Sequence, residues 1–326
     1  MTTVSLEQKN AFFNDVKKIT TRLSDEDFNK FYIIIPSHVS NCERLKYMKS
    51  CLESLLSQSI LVRIYLSISF EDKICERCFD KMISQYFNES SSLTIIKRMV
   101  KTAQFRHIFQ VYNDNGYKHQ WFMFCDDDDI YHENRVATFV SQLYDKSVNT
   151  FADKIIIGMQ DCVDEITGPV FEYWTYCLNT MVLGPFLKHI DNHNIIDHDY
   201  CDCLIIKYIQ TLMGKQYYIT KMLITLYNHQ RLENSVCGRR QKNGEKNNSI
   251  CVNIKDDKLL NKFIRETMKM QLDNIFVLVT RNYTFDQFLE TSKLPVDYLE
   301  LDIILCLTCY YHKIKGICDS MFDIKI

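Results

Sequence analysis

An α/β fold with a mixed, mostly parallel sheet flanked by helices, continued by a helical C-terminal extension, is what this 326-residue sequence predicts. Three observations carry that expectation. Short β-branched and aromatic runs alternate with amphipathic helical patterns between Phe31 and Tyr144. The first of these runs, Phe31–Ile35 (FYIII), is continuously apolar, as a strand covered on both faces must be. From about residue 256 to 320 the pattern turns helical.

Taken in order, Phe12, Phe13, Val16 and Ile19 have helical spacing and mark an N-terminal helical segment within residues 1–30. Phe31–Ile35 is the first strand, ended by Pro36-Ser37-His38. Leu45, Met48, Leu52, Leu55 and Leu56 share one face of a helix between about Cys42 and Gln58. A strand at Val62–Ser69, a helix at Ile74–Phe87, a strand at Leu93–Ile96 and a helix at Thr102–Tyr112 follow. The fourth strand, Trp121–Cys125, runs into four consecutive aspartates, Asp126 to Asp129. Strand–helix alternation implies parallel strands with right-handed crossovers, and such sheets bind ligands beyond the carboxyl ends of their strands. The aspartates and Pro36-Ser37-His38 both fall at such ends. A helix at Glu133–Tyr144 and a strand at Lys154–Met159 come next. A Thr167-Gly168-Pro169 turn then leads into Val170–Trp174, a hairpin pattern. Asn179–Leu183 reads as a short strand, Asp199 to Met213 as a helix, and Met222–Tyr227 as a strand ending at His229. Residues 231–250 are polar, basic and poor in large apolar side chains, the composition of a mobile loop.

A charged fraction of 25% and a hydrophobic fraction of 46% are those of a soluble globular protein. The net charge of −2 gives no basic field for nucleic acid or an anionic membrane. MTTVSLEQKN lacks the basic and apolar regions of a secretory signal, and runs such as Phe31–Ile35 and Ile303–Leu307 fall far short of the ~20 residues of a membrane span. A cytoplasmic protein without a transmembrane segment is expected. Fourteen cysteines agree with a reducing compartment, several of them (Cys51, Cys125, Cys306) standing where core residues would. Cys75/Cys78 and Cys306/Cys309 form Cys-x-x-Cys pairs. They are far apart and in helical patterns, so core cysteines are a better reading than a shared zinc site.

The aspartate run carries the chemistry. Ionised carboxyl groups raise one another's pKa, and a divalent cation relieves that repulsion. Mg²⁺ or Mn²⁺ takes carboxylate oxygens and leaves positions open for substrate phosphates. In a strand-like run Asp126 and Asp128 face one way and Asp127 another. No Gly-x-x-x-x-Gly-Lys-Ser/Thr phosphate loop is present, and contiguous aspartates without a glycine at the sixth position do not make a calcium EF-loop.

The order FYIIIPSH, RLKYMKSCLESLLSQS and WFMFCDDDDIYHENRV resembles inverting glycosyltransferases of family 2, with the GT-A fold, a Rossmann-like nucleotide-diphospho-sugar transferase sheet. The match covers about residues 31–235. It implies a glycosyltransferase domain there, after the segment 1–30 and before a mobile loop at 236–252 and a helical region at 253–326. The resemblance further implies Asp126 and Asp128 of the Asp-x-Asp motif as ligands of Mn²⁺ or Mg²⁺. Asp127 or Asp129 would contact the donor's ribose or sugar. Pro36, Ser37 and His38 would line the donor site, and Asp199, in Asp197-His198-Asp199-Tyr200, would be the catalytic base. LYNHQRLENS resembles a segment that makes His229 a candidate third ligand, and Ala103-Gln104-Phe105-Arg106 makes Arg106 a candidate diphosphate contact. Family members carry an aspartate just after the second strand, where it reads uracil; here the first acids are Glu71 and Asp72. The expected reaction transfers a hexose-type sugar from a nucleotide-sugar donor, a UDP-sugar foremost, to a hydroxyl on a glycan, protein or small molecule, with inversion. Tyr173, Trp174 and Tyr176 are candidates for an aromatic platform for a sugar, with ordinary core packing the expected fate of at least one of them. A metal-dependent nucleotidyltransferase is the rival enzyme, and an inactive GT-A binding module the rival outside enzymology.

Overall fold

The computed structural model describes residues 5–88, 90–115, 120–145, 156–160, 172–212, 217–221, 226–228, 271–292 and 301–323. The chain divides into two compact units, Met1–His229 with Asp323–Ile326, and Gln230–Phe322. Among the described residues no helix is long and apolar enough to cross a membrane.

The first unit opens with α1 (Leu6–Thr20), started by a capping box in which Ser5 and Gln8 bond each other's backbone N–H. β1 (Phe31–Val39), β2 (Arg63–Phe70), β3 (Leu93–Lys97) and β4 (Trp121–Phe124) pair in the order β3-β2-β1-β4, all parallel. Beyond β4 the sheet continues through β7 (Tyr176–Asn179), β6 (Ile156–Gln160) and β8 (Tyr217–Lys221), with β7 antiparallel to both its neighbours. The sheet is therefore mixed and mostly parallel, as the sequence leads one to expect. Phe31, Ile33, Ile34, Ile35, Phe122, Met123 and Phe124 are all 0% exposed, which accounts for the unbroken apolar runs. The connecting helices α3 (Leu45–Leu56), α4 (Lys73–Tyr86), α5 (Gln104–Asn115) and α6 (Arg135–Tyr144) follow their strands. A separate two-stranded ribbon joins β5 (Ile130–Tyr131) to β9 (Tyr227–Asn228), antiparallel.

Several sequence expectations are corrected. β1 does not end at Pro36 but runs on to Val39 beside β2. β4 pairs only with Phe31–Ile34, so beyond that point β1 has an open side where a residue without an N–H is tolerated. Tyr173–Thr175, which overlaps the end of the strand expected at Val170–Trp174, is a 3₁₀ turn. The strand predicted at Asn179–Leu183 is instead the start of helix α7 (Thr180–Asn192), with Asn179 as its cap accepting from Met181 N. Gly184 and Pro185, which break helical patterns in a sequence, sit inside it. The helix α8 spans Cys201–Leu212. The Thr167-Gly168-Pro169 turn, most of the strand at Met222–Tyr227 and the basic segment 231–250 lie outside the described residues.

The second unit is helical where described, with helices at Phe285–Ser292 and Leu301–Ser320. Leu307, Tyr311, Ile314, Ile317 and Cys318 are its buried stripe, and Phe285 packs at 5.4 Å against the Tyr311 ring. Cys306 stands one residue off that stripe and is exposed, so it is not the core cysteine expected; Cys51 and Cys125 are.

His107, in the first turn of α5, is 1% exposed and takes hydrogen bonds with Ser67 (2.8 Å) and Ser69 (3.3 Å) of β2. Loss of solvent, aided by the nearby Arg98 charge, lowers its pKa from 6.5 to about 3. The native state thus keeps His107 neutral while the unfolded chain protonates it, so its contribution is complete above pH 6.5 and is lost as the pH falls toward 3. We predict that urea-unfolding stability drops across that window by on the order of 4 kcal/mol from this residue, and that His107→Gln flattens the slope. An unchanged slope in the variant would contradict the assignment.

Candidate active site

The four aspartates stand beyond the carboxyl end of β4, where a parallel sheet presents ligands with backbone and side-chain groups. They do not continue the strand. Asp129 N donates to Asp126 O at 3.2 Å, closing a tight turn. Burial nevertheless alternates: Asp127 and Asp129 are 6% and 0% exposed, while Asp126 and Asp128 are partly open. The cause is anchoring by partners rather than the pleat of a strand.

Asp127 is held at both oxygens. The Ser37 hydroxyl donates to Oδ2 at 2.5 Å and Arg44 Nη2 to Oδ1 at 2.7 Å. Arg44 also lies 3.5 Å from Asp128 Oδ2. It comes from the 3₁₀ turn Cys42–Arg44 before α3, which Asn41 caps by accepting from Glu43 N and Arg44 N. The Tyr227 hydroxyl donates to Asp129 Oδ2 at 2.6 Å and itself accepts from Asp126 N at 3.2 Å. Tyr227 is itself fixed: Trp174 stacks on it at 3.8 Å, and Arg135, fully buried, lies 4.8 Å over its ring while donating to Trp174 O at 3.0 Å. Tyr131 of the ribbon donates to Phe124 O at 2.6 Å, which ties the far end of the turn back to β4.

Asp126 Oδ1 accepts from the Tyr173 hydroxyl and, at 3.0 Å, from Gln104 Nε2 in the first turn of α5. Loss of solvent and the neighbouring Asp129 charge push the Asp126 carboxyl well above the usual carboxylate range, against the pull of the Tyr173 hydrogen bond. One guanidinium does not neutralise four carboxyl groups, so the turn favours a further cation. The donors fit Mg²⁺ or Mn²⁺: hard oxygens on two partly open carboxyls, with remaining positions for water or phosphate. Among the described residues no group of three or more His, Cys, Asp or Glu side chains converges as a complete cage, and His229 lies outside those residues.

The other predicted residues fall in two groups. His38, at the end of β1, meets Glu71 at 3.0 Å through Nε2 and Ser69 at 3.0 Å through Nδ1. The His38 contact and Lys101 lower the Glu71 pKa. Asp72, the next acid, caps α4 by accepting from Cys75 N at 2.8 Å, which leaves Glu71 as the acid facing β1. Pro36 is buried within β1. Asp199 is exposed in the segment before α8. Arg106 joins that segment to α5, with Nε and Nη2 on the Asp197 carboxylate at 3.0 and 2.7 Å and Nη1 on Asp191 at 2.7 Å. Tyr173, Trp174 and Tyr176 are 2–3% exposed and packed, so none forms the open sugar platform expected of them. Sequence reasoning missed Arg44, Gln104 and Tyr227. Arg44 had a local signal in the asparagine-capped turn Asn41–Arg44; the other two had none.

No family model matches the chain, and neither does any curated protein. Solved structures do. TarS of S. aureus aligns at 11% identity and a TM-score of 0.41 over 90% of this chain and 55% of that one. The chain thus spans about half the length of that structure. The TarS 1–349 structure aligns at 13% and 0.42 over 90% of each chain. The mannosyltransferase PcManGT from Pyrobaculum calidifontis, in complex with GDP-Man and Mn²⁺, aligns at 10% and 0.44 over 97% of this chain and 95% of its own.

The Arg44–Asp127 pair is predicted to be coupled. Arg44→Met should lower urea-unfolding stability by about 2 kcal/mol, because it strands a buried carboxylate. In a double-mutant cycle with Asp127→Asn the loss in the double variant should fall short of the sum of the two single losses by about 1 kcal/mol. Additivity within about 0.3 kcal/mol would mean the pair does not interact in solution.

Proposed function

We propose that the chain is a metal-dependent glycosyltransferase of GT-A type, similar to inverting family 2, acting on a nucleoside-diphosphate sugar, with a UDP-sugar the expected donor. The observation that carries this reading is the division of the aspartate turn. Asp127 and Asp129 are buried among internal partners, while Asp126, with one oxygen taken by Tyr173 and Gln104, and Asp128, 3.5 Å from Arg44, are partly open at the ligand edge of the sheet. Asp126 and Asp128 would hold Mn²⁺ or Mg²⁺, with His229 the third protein ligand. When bound, the cation supplies Lewis-acid neutralisation of the charge that develops on the leaving diphosphate.

The remaining roles belong to this chain's own side chains. Ser37 and Arg44 hold Asp127 so that the turn keeps its shape when the donor enters. His38 and Glu71, joined at the ends of β1 and β2, are assigned to the nucleotide base, taking the place of the family's aspartate. Asp199 accepts the proton of the attacking hydroxyl on the face opposite the diphosphate. Arg106 orients the segment carrying Asp199 through Asp197 and Asp191, and would reach a diphosphate only by leaving those partners. Residues 31–235 are assigned as the transferase domain, flanked by the segments 1–30, 236–252 and 253–326. A hydroxyl acceptor on a glycan, protein or small molecule and a cytoplasmic location complete the reading.

A panel of sugar nucleotides, assayed for Mn²⁺- or Mg²⁺-dependent release of nucleoside diphosphate, tests it. At least one donor should turn over, and Asp128→Asn and Asp199→Asn should each lower kcat roughly 100-fold or more while unfolding like the parent. Folded variants with full activity would overturn the residue assignment. Pyrophosphate release from a nucleoside triphosphate, with no sugar nucleotide consumed, would overturn the reaction.

A further inference from the structure

The Cys75-x-x-Cys78 pair, left without a role by the site chemistry, acquires a third member in the fold. Cys75 and Cys78 are one turn apart on the same face of α4, and Cys42, from the 3₁₀ turn Cys42–Arg44, packs against that face. Cys42 Sγ donates to Cys78 Sγ at 2.8 Å, closer than two unbonded sulfurs rest comfortably. Both Cys42 and Cys78 are partly open to solvent, while Cys75 is buried at 4% exposure beneath them. A zinc site is not the better reading, since among the described residues no three metal-binding side chains converge as a cage.

We propose that Cys42 and Cys78 form a reversible disulfide, a redox modification site that staples the Cys42–Arg44 turn to α4. The hydrogen-bond direction assigns the roles: Cys42 shares its proton, and Cys78 receives it. That shared hydrogen bond pushes the Cys42 thiol up to about 12, so Cys42 is not the first nucleophile. The Cys78 sulfur attacks one sulfur of a low-molecular-weight disulfide such as oxidised glutathione, forming a mixed disulfide and releasing one glutathione thiolate. Cys42 then gives up its proton and attacks the Cys78 sulfur, expelling the second glutathione thiolate. Two protein thiols are oxidised, one small disulfide is reduced to two thiols, and the two protons pass to those thiols. In a reducing compartment the bond is transient, which is the usual character of a redox-sensing pair. The stapled turn is the one that presents Arg44 to Asp127 and Asp128, so the bond constrains a residue in contact with the aspartate turn.

The test equilibrates the full chain with graded ratios of oxidised to reduced glutathione, blocks free thiols with N-ethylmaleimide, and maps the digest by mass. We expect a Cys42–Cys78 cross-linked peptide to rise with the ratio and to vanish on dithiothreitol, and the oxidised protein to melt several degrees higher. Cys75→Ser should keep the cross-link, whereas Cys42→Ser and Cys78→Ser should each abolish it and leave the melting temperature insensitive to oxidation. Three outcomes would overturn the proposal: Cys42 fully alkylated at every ratio, a glutathione adduct on Cys78 that never resolves, or zinc released stoichiometrically from the purified protein on thiol modification.

Discussion

Four carboxyl groups in one tight turn repel one another, and the arrangement of the first unit follows from how that repulsion is managed. Brought to the end of a buried strand, the groups lose the solvent that would screen them. The fold answers by treating them unequally. Asp127 is given a guanidinium and a hydroxyl, and Asp129 a buried tyrosine hydroxyl. Asp126 is pushed toward its protonated form by loss of solvent and the Asp129 charge, against the hydrogen bond that Tyr173 donates to it. The result is a turn whose shape is fixed by Asp127 and Asp129, while Asp126 and Asp128 remain partly open to solvent.

The partners come from elements that the sheet topology brings to one edge. β1 delivers Ser37 and His38, the turn behind it delivers Arg44, and the first turn of α5 delivers Gln104. The β5–β9 ribbon places Tyr227 beneath the aspartates, where the Trp174 ring and the Arg135 guanidinium clamp it from the sides. A fully buried arginine among aromatic rings is costly unless its donors and its charge are met, and the Trp174 carbonyl and the ring faces meet part of that need. The same first turn of α5 carries Arg106 to Asp191 and Asp197, so one helical turn touches both the aspartates and the segment bearing Asp199.

Legibility in the sequence followed the range of the interactions. The parallel half of the sheet could be read because its central strands β1 and β4 are buried on both faces and show as the unbroken apolar runs FYIII and WFMF. The aspartate cluster and its place at a strand end were legible for the same reason. α7 was not, because Gly184 and Pro185 interrupt its pattern and its cap, Asn179, ends a strand as well. The turn conformation of Asp126–Asp129 was read as a strand, though the alternation drawn from that reading reappears through a different cause. Arg44 and Tyr227 reach the aspartates across 83 and 98 residues of chain, and no local pattern encodes contacts of that separation. The aromatic triplet Tyr173, Trp174 and Tyr176 was read for its chemistry, whereas its burial is decided by the elements packed on it.

The unequal division of the four carboxyl groups is tested most directly by titrating Mn²⁺ into the full chain, followed by electron paramagnetic resonance, with nucleoside diphosphate present and with each aspartate changed singly to asparagine. The account predicts that Asp126→Asn and Asp128→Asn weaken Mn²⁺ binding by roughly 10-fold or more with the melting temperature kept or raised, because an amide oxygen still accepts from Tyr173 and Gln104 at position 126 and neither change adds charge to the turn. Asp127→Asn and Asp129→Asn should lower the melting temperature and disturb Mn²⁺ affinity less. Four variants that behave alike, or a parent chain that leaves Mn²⁺ free in solution, would contradict it.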